Sequence, residues 1–354
     1  MIIGSRSSRL SAVLDMLEGA GREEKTGHDV EKGRREYRGY GYGYVSGEQM
    51  SRALNISREA VWKYISMLRG YGYTIDAKPR LGYMLVGVPD RLYPWEIMKE
   101  LGECSIVSDI IYYGDVESTQ DVALRLAERG RDSILVVAER QSKGRGRLSR
   151  RWVSPDGGLW FSLIVRPRIS TGHVTLLSLA TALAVCNAIR SLNLPARIKW
   201  PNDVLINHRK VAGILIDMSM EHDRINYAVV GVGINANVSI ESIESRIGDA
   251  DRESYYGSTS LMHELGRAVD RVRLTALLLK ELEGVYSRLA HRADILAAIR
   301  EVMLFGPVRV VEGGGEAMAV DGVAMDIDDD GSLLVKSDHG VKRITSGYVR
   351  IRHM

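Results

Sequence analysis

The stretch ILVVAERQSKGRGRLSRRWVSPDGGLWFSLIVRP, residues 134–167, sets the architecture. Its two ends are apolar, β-branched runs of strand length, and between them lies a polar loop that neither run could absorb. Six basic residues fall within the 13 positions 140–152, with no carboxylate among them. Gly144 and Gly146 permit close backbone approach, and guanidinium groups grip phosphate or carboxylate oxygens in pairs. A basic, glycine-punctuated loop at a sheet end is therefore a candidate polyanion site. A solvated basic loop is the bland alternative, and the rest of the chain decides between them.

Outward from this stretch, residues 108–116, 196–207, 210–220 and 226–235 read as further strands, 196–207 as one continuous run. Residues 173–192 read as a long, mostly buried helix, with a second near 271–289. Strands followed directly by strands, with helices interspersed, predict a mixed α+β sheet over residues 89–303. Residues 304–354 are short strands broken by Gly and Asp, with hairpin signals at DDDG and SDHG, and predict a small β-barrel.

Residues 1–88 carry a different pattern. Ser46 and Gln49 form a capping box, with Met50, Ala53 and Leu54 predicted as the buried face of the helix they start. Asn55-Ile56 makes a turn, Ser57 caps a second helix, and Ala60, Val61, Tyr64, Ile65 and Leu68 supply its inner stripe. Two short helices joined this tightly are a helix-turn-helix, and the hairpin Tyr73–Leu85 adds a wing. Ser57, Arg58, Trp62, Lys63 and Arg69, with Lys78 and Arg80 on the wing, are the candidate DNA contacts. Residues 46–91 carry seven Lys and Arg against four Asp and Glu, a balance that fits DNA or a module used only for packing or dimerisation. Residues 19–44, rich in charge, Gly and Tyr, bury too little to hold a fold and read as a flexible insertion.

The whole-chain numbers exclude rather than identify. The 354 residues exceed one small domain, 45% hydrophobic content supports a sizeable core, and a net charge of +3 points to no partner. No apolar run approaches the roughly 18 residues of a membrane span. Cys104 and Cys186 stand outside any metal-ligand spacing, and no metal site is expected. Reduced thiols and the lack of a secretory signal pattern place the chain in the cytoplasm.

Four motifs recur in order: Gln141 with Gly144-Arg-Gly-Arg147, Lys199-Trp-Pro-Asn-Asp203, Lys210-Val-Ala-Gly213, and Gly231-Val-Gly-Ile-Asn235. Together with Glu117-Ser118-Thr119 they resemble the biotin protein ligases over nearly the whole chain. The amino-terminal module is similar to that of the bifunctional ligases that also repress biotin genes. The resemblance implies a class II synthetase-like catalytic domain and an SH3-like carboxy-terminal barrel.

It also implies roles. Ser118, Thr119, Gln120, Gln141, Arg145, Gly146, Arg147, Lys199 and Gly213 would bind biotin. Gly144, Arg145, Arg147, Arg150, Trp152, Asn202, Asp203, Lys210, Gly231, Gly233 and Asn235 would bind ATP or the adenylate. Lys199 and Arg147 would be catalytic. ATP with Mg²⁺ is the implied cofactor, a carboxyl-carrier protein lysine the acceptor, operator DNA a partner, and a homodimer the assembly, with no membrane. Where the family has asparagine after Ser-Thr, this chain has Gln120. A lipoate or octanoate ligase is the neighbouring alternative. A regulator that senses a ligand without catalysis is the distant one.

Overall fold

The computed structural model describes residues 2–4, 8–20, 43–167, 169, 171–221, 224–245, 257–311 and 319–351. Most of the segment read as an insertion, residues 21–42, lies outside them. The chain divides into two compact units, Gly4–Arg91 and Leu92–Met354, with Met1–Ile3 joining the second.

A short strand, β1 (Ile2–Gly4), precedes the smaller unit, which contains α1 (Ser8–Gly19), α2 (Gly47–Leu54), α3 (Arg58–Gly70), β2 (Thr74–Lys78) and β3 (Gly82–Gly87). Ser46 accepts from the Gln49 amide while the Gln49 side chain takes the Ser46 amide, so the capping box is complete. Asn55 turns the chain in the left-handed conformation, and Ser57 Oγ accepts the Ala60 amide to start α3. Met50, Val61, Ile65 and Leu68 are buried against Leu10, Val13, Leu14 and Leu17. Ala53, expected inside, is exposed, and Leu54, Ala60 and Tyr64 are half-buried. With only two turns in α2, Met50 is its one buried residue.

The larger unit is built on an eight-stranded mixed sheet in the order β1-β4-β5-β6-β10-β9-β8-β7. Its strands are β4 (Asp109–Val116), β5 (Ile134–Gln141), β6 (Leu159–Val165), β7 (Arg197–Lys199), β8 (Asp203–Ile206), β9 (Arg209–Glu221) and β10 (Arg224–Ile234). Only β4–β5 is parallel among the registered pairs. The helices are α4 (Pro94–Leu101), α5 (Thr119–Glu128), α6 (Val174–Arg190), α7 (Ile240–Glu244), α8 (Leu261–Leu265), α9 (Arg271–Ser287) and α10 (Arg292–Val302). The long apolar α6 buries twelve of its residues.

One expected strand is corrected. Residues 196–207 are not continuous but form the hairpin β7–β8, with Trp200-Pro201-Asn202 as its turn. Proline lacks the amide a ladder needs, and Pro201 marks the break. The turn sets Lys199 opposite Asp203 in register. Its surroundings hold it: Trp200 Nε1 donates to the Gly331 carbonyl at 2.9 Å, Ser178 Oγ to the Pro201 carbonyl, and the Leu304 amide to the Ile198 carbonyl.

Gly331 lies in the turn between β12 and β13 of a five-stranded antiparallel sheet of β11 (Gly306–Val311), β12 (Ala319–Ile327), β13 (Leu333–Ser337), β14 (Gly340–Ile344) and β15 (Tyr348–Ile351), ordered β14-β13-β12-β11-β15. The expected hairpins are there, Ser337 pairing Gly340 across the second.

Glu139, the first polar residue of β5, is buried beside Arg271 of α9, with Nη1 to Oε2 at 2.9 Å. Glu139 also accepts the Leu92 amide, and Arg271 donates to the Gly158 carbonyl. The pair thus ties the entry to this unit, the strand leading into the basic loop and the strand leaving it. Breaking a buried pair from one side costs about 3–5 kcal/mol because the survivor keeps its desolvation penalty. Glu139→Ala is expected to lower the calorimetric midpoint of this unit sharply, with Glu139→Ala/Arg271→Met regaining most of the loss.

Candidate active site

The floor of the site is one face of the sheet, and its register can be followed strand by strand. Trp160 pairs with Gly233, Gly233 with Gly213, Gly213 with Asp203, and Asp203 with Lys199. One step along, Ser162 pairs with Gly231 and Gly231 with Leu215; the next row contains Val229 and Asp217. Cross-strand partners share a face, and so do residues two apart along a strand, so these rows pave one surface. Two glycines leave room on it. A Cβ at Gly233 would lie 2.4 Å from Trp152 Nε1, and one at Gly231 would lie 2.5 Å from Gln120 Oε1. The cavity over this floor has a volume of about 60 Å³.

One end is uncharged. Ser118 caps α5 by accepting the Asp121 amide, leaving its hydroxyl proton to give. Gln141 Oε1 accepts the Thr119 amide at 2.8 Å and Thr119 Oγ1 at 3.1 Å, while its Nε2 donates to Ser154 Oγ. Thr119 Oγ1 stands 2.9 Å from Ser162 Oγ. Gln120 is buried; its Oε1 accepts from Ser162, and its Nε2 donates to the Val229 carbonyl and to Asp217 Oδ2. The extra methylene of Gln120 is thus used to reach β10 and β9.

The other end is cationic. Lys199 is 8% exposed, 3.8 Å from Asp203, and Lys210 Nζ is 2.6 Å from the same carboxylate. Arg147 Nη1 donates to Asn202 Oδ1, and Asn202 is fixed by exchanging two hydrogen bonds with the Ile214 backbone. Burial pushes the Lys199 ammonium below the usual lysine range; Asp203 opposes this, while Lys210 and Arg150 reinforce it. Burial would raise the Asp203 carboxyl, but Lys210, Lys199 and Arg147 outweigh it and hold it low. Burial lowers Arg147 as well. Three cations around one carboxylate leave a positive surplus at the site, the condition for binding an anion.

Between the two ends lies Trp152, its ring under the Lys210 ammonium at 5.0 Å from the centroid and edge-on to Trp160. Its Nε1 is buried and meets no acceptor in the protein, a donor left for a ligand.

Several residues assigned to ligand from the sequence have other partners here. Arg145 is ion-paired with Asp121 at 2.9 Å and with Asp217 at 3.1 Å. Asn235 is buried, its amide nitrogen donating to the Thr259 carbonyl, so it holds the strand exit rather than facing the pocket. Gly144 and Gly146 shape the loop: the Trp152 amide bonds the Gly144 carbonyl, and the Gly146 amide bonds that of Arg150. In the smaller unit Arg58, Lys63 and Trp62 are exposed, Trp62 at 62%. Arg69, however, donates twice to the Ile75 carbonyl, and Lys78 sits over the Tyr44 ring; both brace the wing. Arg80 is exposed near the wing tip. The sequence reading missed Asp121, Ser154, Ser162 and Asp217, isolated polar residues whose partners only the register supplies.

Residues 115–235 match the biotin/lipoate A/B protein ligase family, residues 41–84 a helix-turn-helix domain, and residues 304–352 the biotin protein ligase C-terminal domain. The chain is 35% identical over 312 residues to the bifunctional ligase/repressor BirA of Bacillus subtilis, covering 87% of this chain and 94% of that one. This chain belongs to the biotin protein ligase family. The bifunctional ligase/repressor of Escherichia coli is 28% identical over 315 residues, covering 87% and 93%. A biotin protein ligase from Aquifex aeolicus, solved with biotin and ATP, superposes with a TM-score of 0.56 at 29% identity, covering 69% of this chain and 99% of that one.

Among the described residues no group of three His, Cys, Asp or Glu gathers to hold a metal ion. Asp203, Asp121 and Asp217 are each taken by a lysine or arginine. No helix among the described residues is long and apolar enough to cross a membrane.

The lowered Lys199 predicts a measurable deprotonation. Acylation of Lys199 should rise with pH at a midpoint below the ordinary lysine range, followed on its own peptide by mass spectrometry. Asp203→Asn, which removes the group that favours the ammonium, should move the Lys199 midpoint further down.

Proposed function

We propose that this chain is an ATP-dependent biotin protein ligase that makes biotinyl-5′-AMP, transfers biotin to a carrier-protein lysine, and also acts as a biotin-responsive repressor. The observation that carries the enzymatic reading is the juxtaposition of a neutral hydrogen-bonding end with an end holding surplus positive charge. Biotin has the matching polarity, an uncharged ureido ring joined by an apolar chain to a carboxylate. Ser118, Thr119 and Gln141 suit the ring, Trp152 and the glycine floor the chain, and Lys199, Arg147 and Lys210 the carboxylate and phosphates.

In the first half-reaction the carboxylate oxygen attacks the α-phosphorus of ATP, and pyrophosphate leaves. Two anions must approach, so preorganised cations at the reacting oxygens lower the barrier. In the second, an acceptor lysine amine attacks the acyl carbon, the amide forms, and AMP leaves with the electron pair. Mg²⁺ would accompany the ATP phosphates and offset their charge as pyrophosphate leaves. The acceptor is a biotin carboxyl-carrier protein. Free Cys104 and Cys186 fit a reduced cytoplasm.

Pyrophosphate exchange into ATP tests the chemistry, with biotin, lipoate and octanoate compared as the acid. Biotin alone is expected to drive it; exchange driven by lipoate or octanoate instead would reassign the substrate. Lys199→Ala should fold and lose roughly 10²- to 10³-fold in rate, the scale of removing one preorganised charge contact. Arg147→Ala should release more free adenylate than the parent, because the loop shields the mixed anhydride from water.

The repressor reading rests on α3, which presents Arg58, Trp62 and Lys63 to solvent, beside a wing. It requires a homodimer to offer two such helices to a two-fold site. Biotin with ATP should raise the sedimenting mass towards the dimer, since a ligand bound under the loop stiffens the site further and leaves less entropy to lose on association. Operator binding should weaken with salt, and Lys63→Ala should reduce that salt dependence by about one counterion. A ligand-independent mass with no salt-sensitive DNA binding would leave the ligase without the repressor.

A further inference from the structure

The basic loop is held down at three points, and one carboxylate outside the sequence motifs joins them. Arg145, midway along the loop, reaches Asp121 on α5 with Nη1 at 2.9 Å and Asp217 on β9 with the same nitrogen at 3.1 Å. Asp217 Oδ2 also accepts Gln120 Nε2 at 3.1 Å. From Gln120 the hydrogen bonds run on through Ser162 and Thr119 to Gln141, where the loop begins, and from Gln141 to Ser154, where it ends. Loop middle, loop start and loop end thus share one network, and Asp217 is its junction with the guanidinium.

We propose that Asp217 is a positioning residue for the ligase reaction: with Arg145 it forms a latch that keeps the basic loop closed over the pocket and so retains the adenylate. The proposal rests on the biotin ligase reading for its chemistry, but the latch itself can be tested without ligand. Asp217 lies on the floor face two residues beyond Leu215, across from Val229, so its carboxylate is set by the sheet and does not move with the loop. Asp121, at the first turn of α5, supplies the second anchor. A guanidinium held by two carboxylates on two elements resists opening more than either pair alone. Charge matters too. With Asp217 neutral, Arg145 loses half its counter-charge and is freed towards solvent.

Asp217→Asn keeps the acceptor for Gln120 and removes the ion pair. In the ligand-free full chain, trypsin cleavage within residues 145–151 is expected to quicken by roughly three- to tenfold, the range for losing a partly exposed ion pair in a network. Arg145→Gln, which breaks both anchors, should release the loop at least as much when its cleavage is followed at Arg147, Arg150 and Arg151, and the double variant should be no faster than Arg145→Gln alone. Asp217→Glu should restore slow cleavage. With biotin and ATP present, Asp217→Asn should raise the KM for biotin and the free adenylate released per turnover while changing kcat for pyrophosphate exchange less. That split is not the signature of a general loss of stability, which calorimetry reads separately. If both single variants are cut as slowly as the parent, there is no latch. If they are cut faster but adenylate retention is unchanged, the latch does not serve the reaction. Absence of biotin-dependent exchange in the parent would instead overturn the ligase reading and leave the proteolysis result standing.

Discussion

Everything at the charged end of the pocket depends on Lys199 facing Asp203 across the β7–β8 hairpin. A lysine buried this far would discharge or drag in water unless a carboxylate stood beside it. The hairpin supplies that carboxylate four residues later, because the chain reverses at Pro201 rather than running on. Asp203 then serves Lys210 as well, and Asn202, from the same turn, orients Arg147. Four groups of the site are therefore placed by one turn, and the turn is itself fixed by Trp200 on the Gly331 carbonyl and by α6 beneath Pro201. The carboxy-terminal sheet is in this sense part of the catalytic apparatus without touching the pocket: its Gly331 carbonyl anchors the turn from outside.

Much of this was visible before any coordinates. The strands at 134–141, 159–165, 209–221 and 224–234 announced themselves by β-branched apolar runs, and the capping box at Ser46 gave the start of α2 to the residue. The glycines of the last motif stood out as a motif, but not the Trp152 and Gln120 side chains that pack against them. What escaped was whatever depends on register. Lys199-Trp-Pro-Asn-Asp203 read as a strand because its flanks are apolar on both sides, although Pro201 carried the contrary signal. Helix α5 escaped as well: its Ser-Thr start drew attention as a binding motif, when Ser118 is also the N-cap that begins a helix.

The same blind spot explains Arg145 and Asn235. Both sit inside motifs, and a motif assigns every polar residue in it to the ligand. Arg145 lines the pocket but also pairs with Asp121 and Asp217, 24 and 72 residues away, and Asn235 pairs with the Thr259 carbonyl. Sequence proximity says which residues travel together; it does not say which of them the sheet turns towards the pocket. The helix-turn-helix shows this on a smaller scale, since Arg69 and Lys78 have the charge for a phosphate but spend it on the Ile75 carbonyl and the Tyr44 ring.

The site is also where the fold works against itself. Elsewhere in the unit, the buried Glu139 is matched one to one by Arg271. Around Asp203, three cations crowd one carboxylate, with Lys199 and Arg147 pushed down by burial and by neighbouring positive charge. Local conflict of this kind, inside a sheet otherwise consistent in pattern and packing, is expected at functional positions. An incoming anion relieves it twice, by neutralising the repulsion and by offsetting the burial that disfavours the Lys199 ammonium. Binding and folding are then linked: a ligand that adds negative charge at this end stabilises the native chain by its own affinity. A neutral ligand filling only the Ser118–Gln141 end would leave the cations as they were. The conflict at Asp203 is thus the reason the two ends of the pocket act as one site for a ligand that is neutral at one end and anionic at the other.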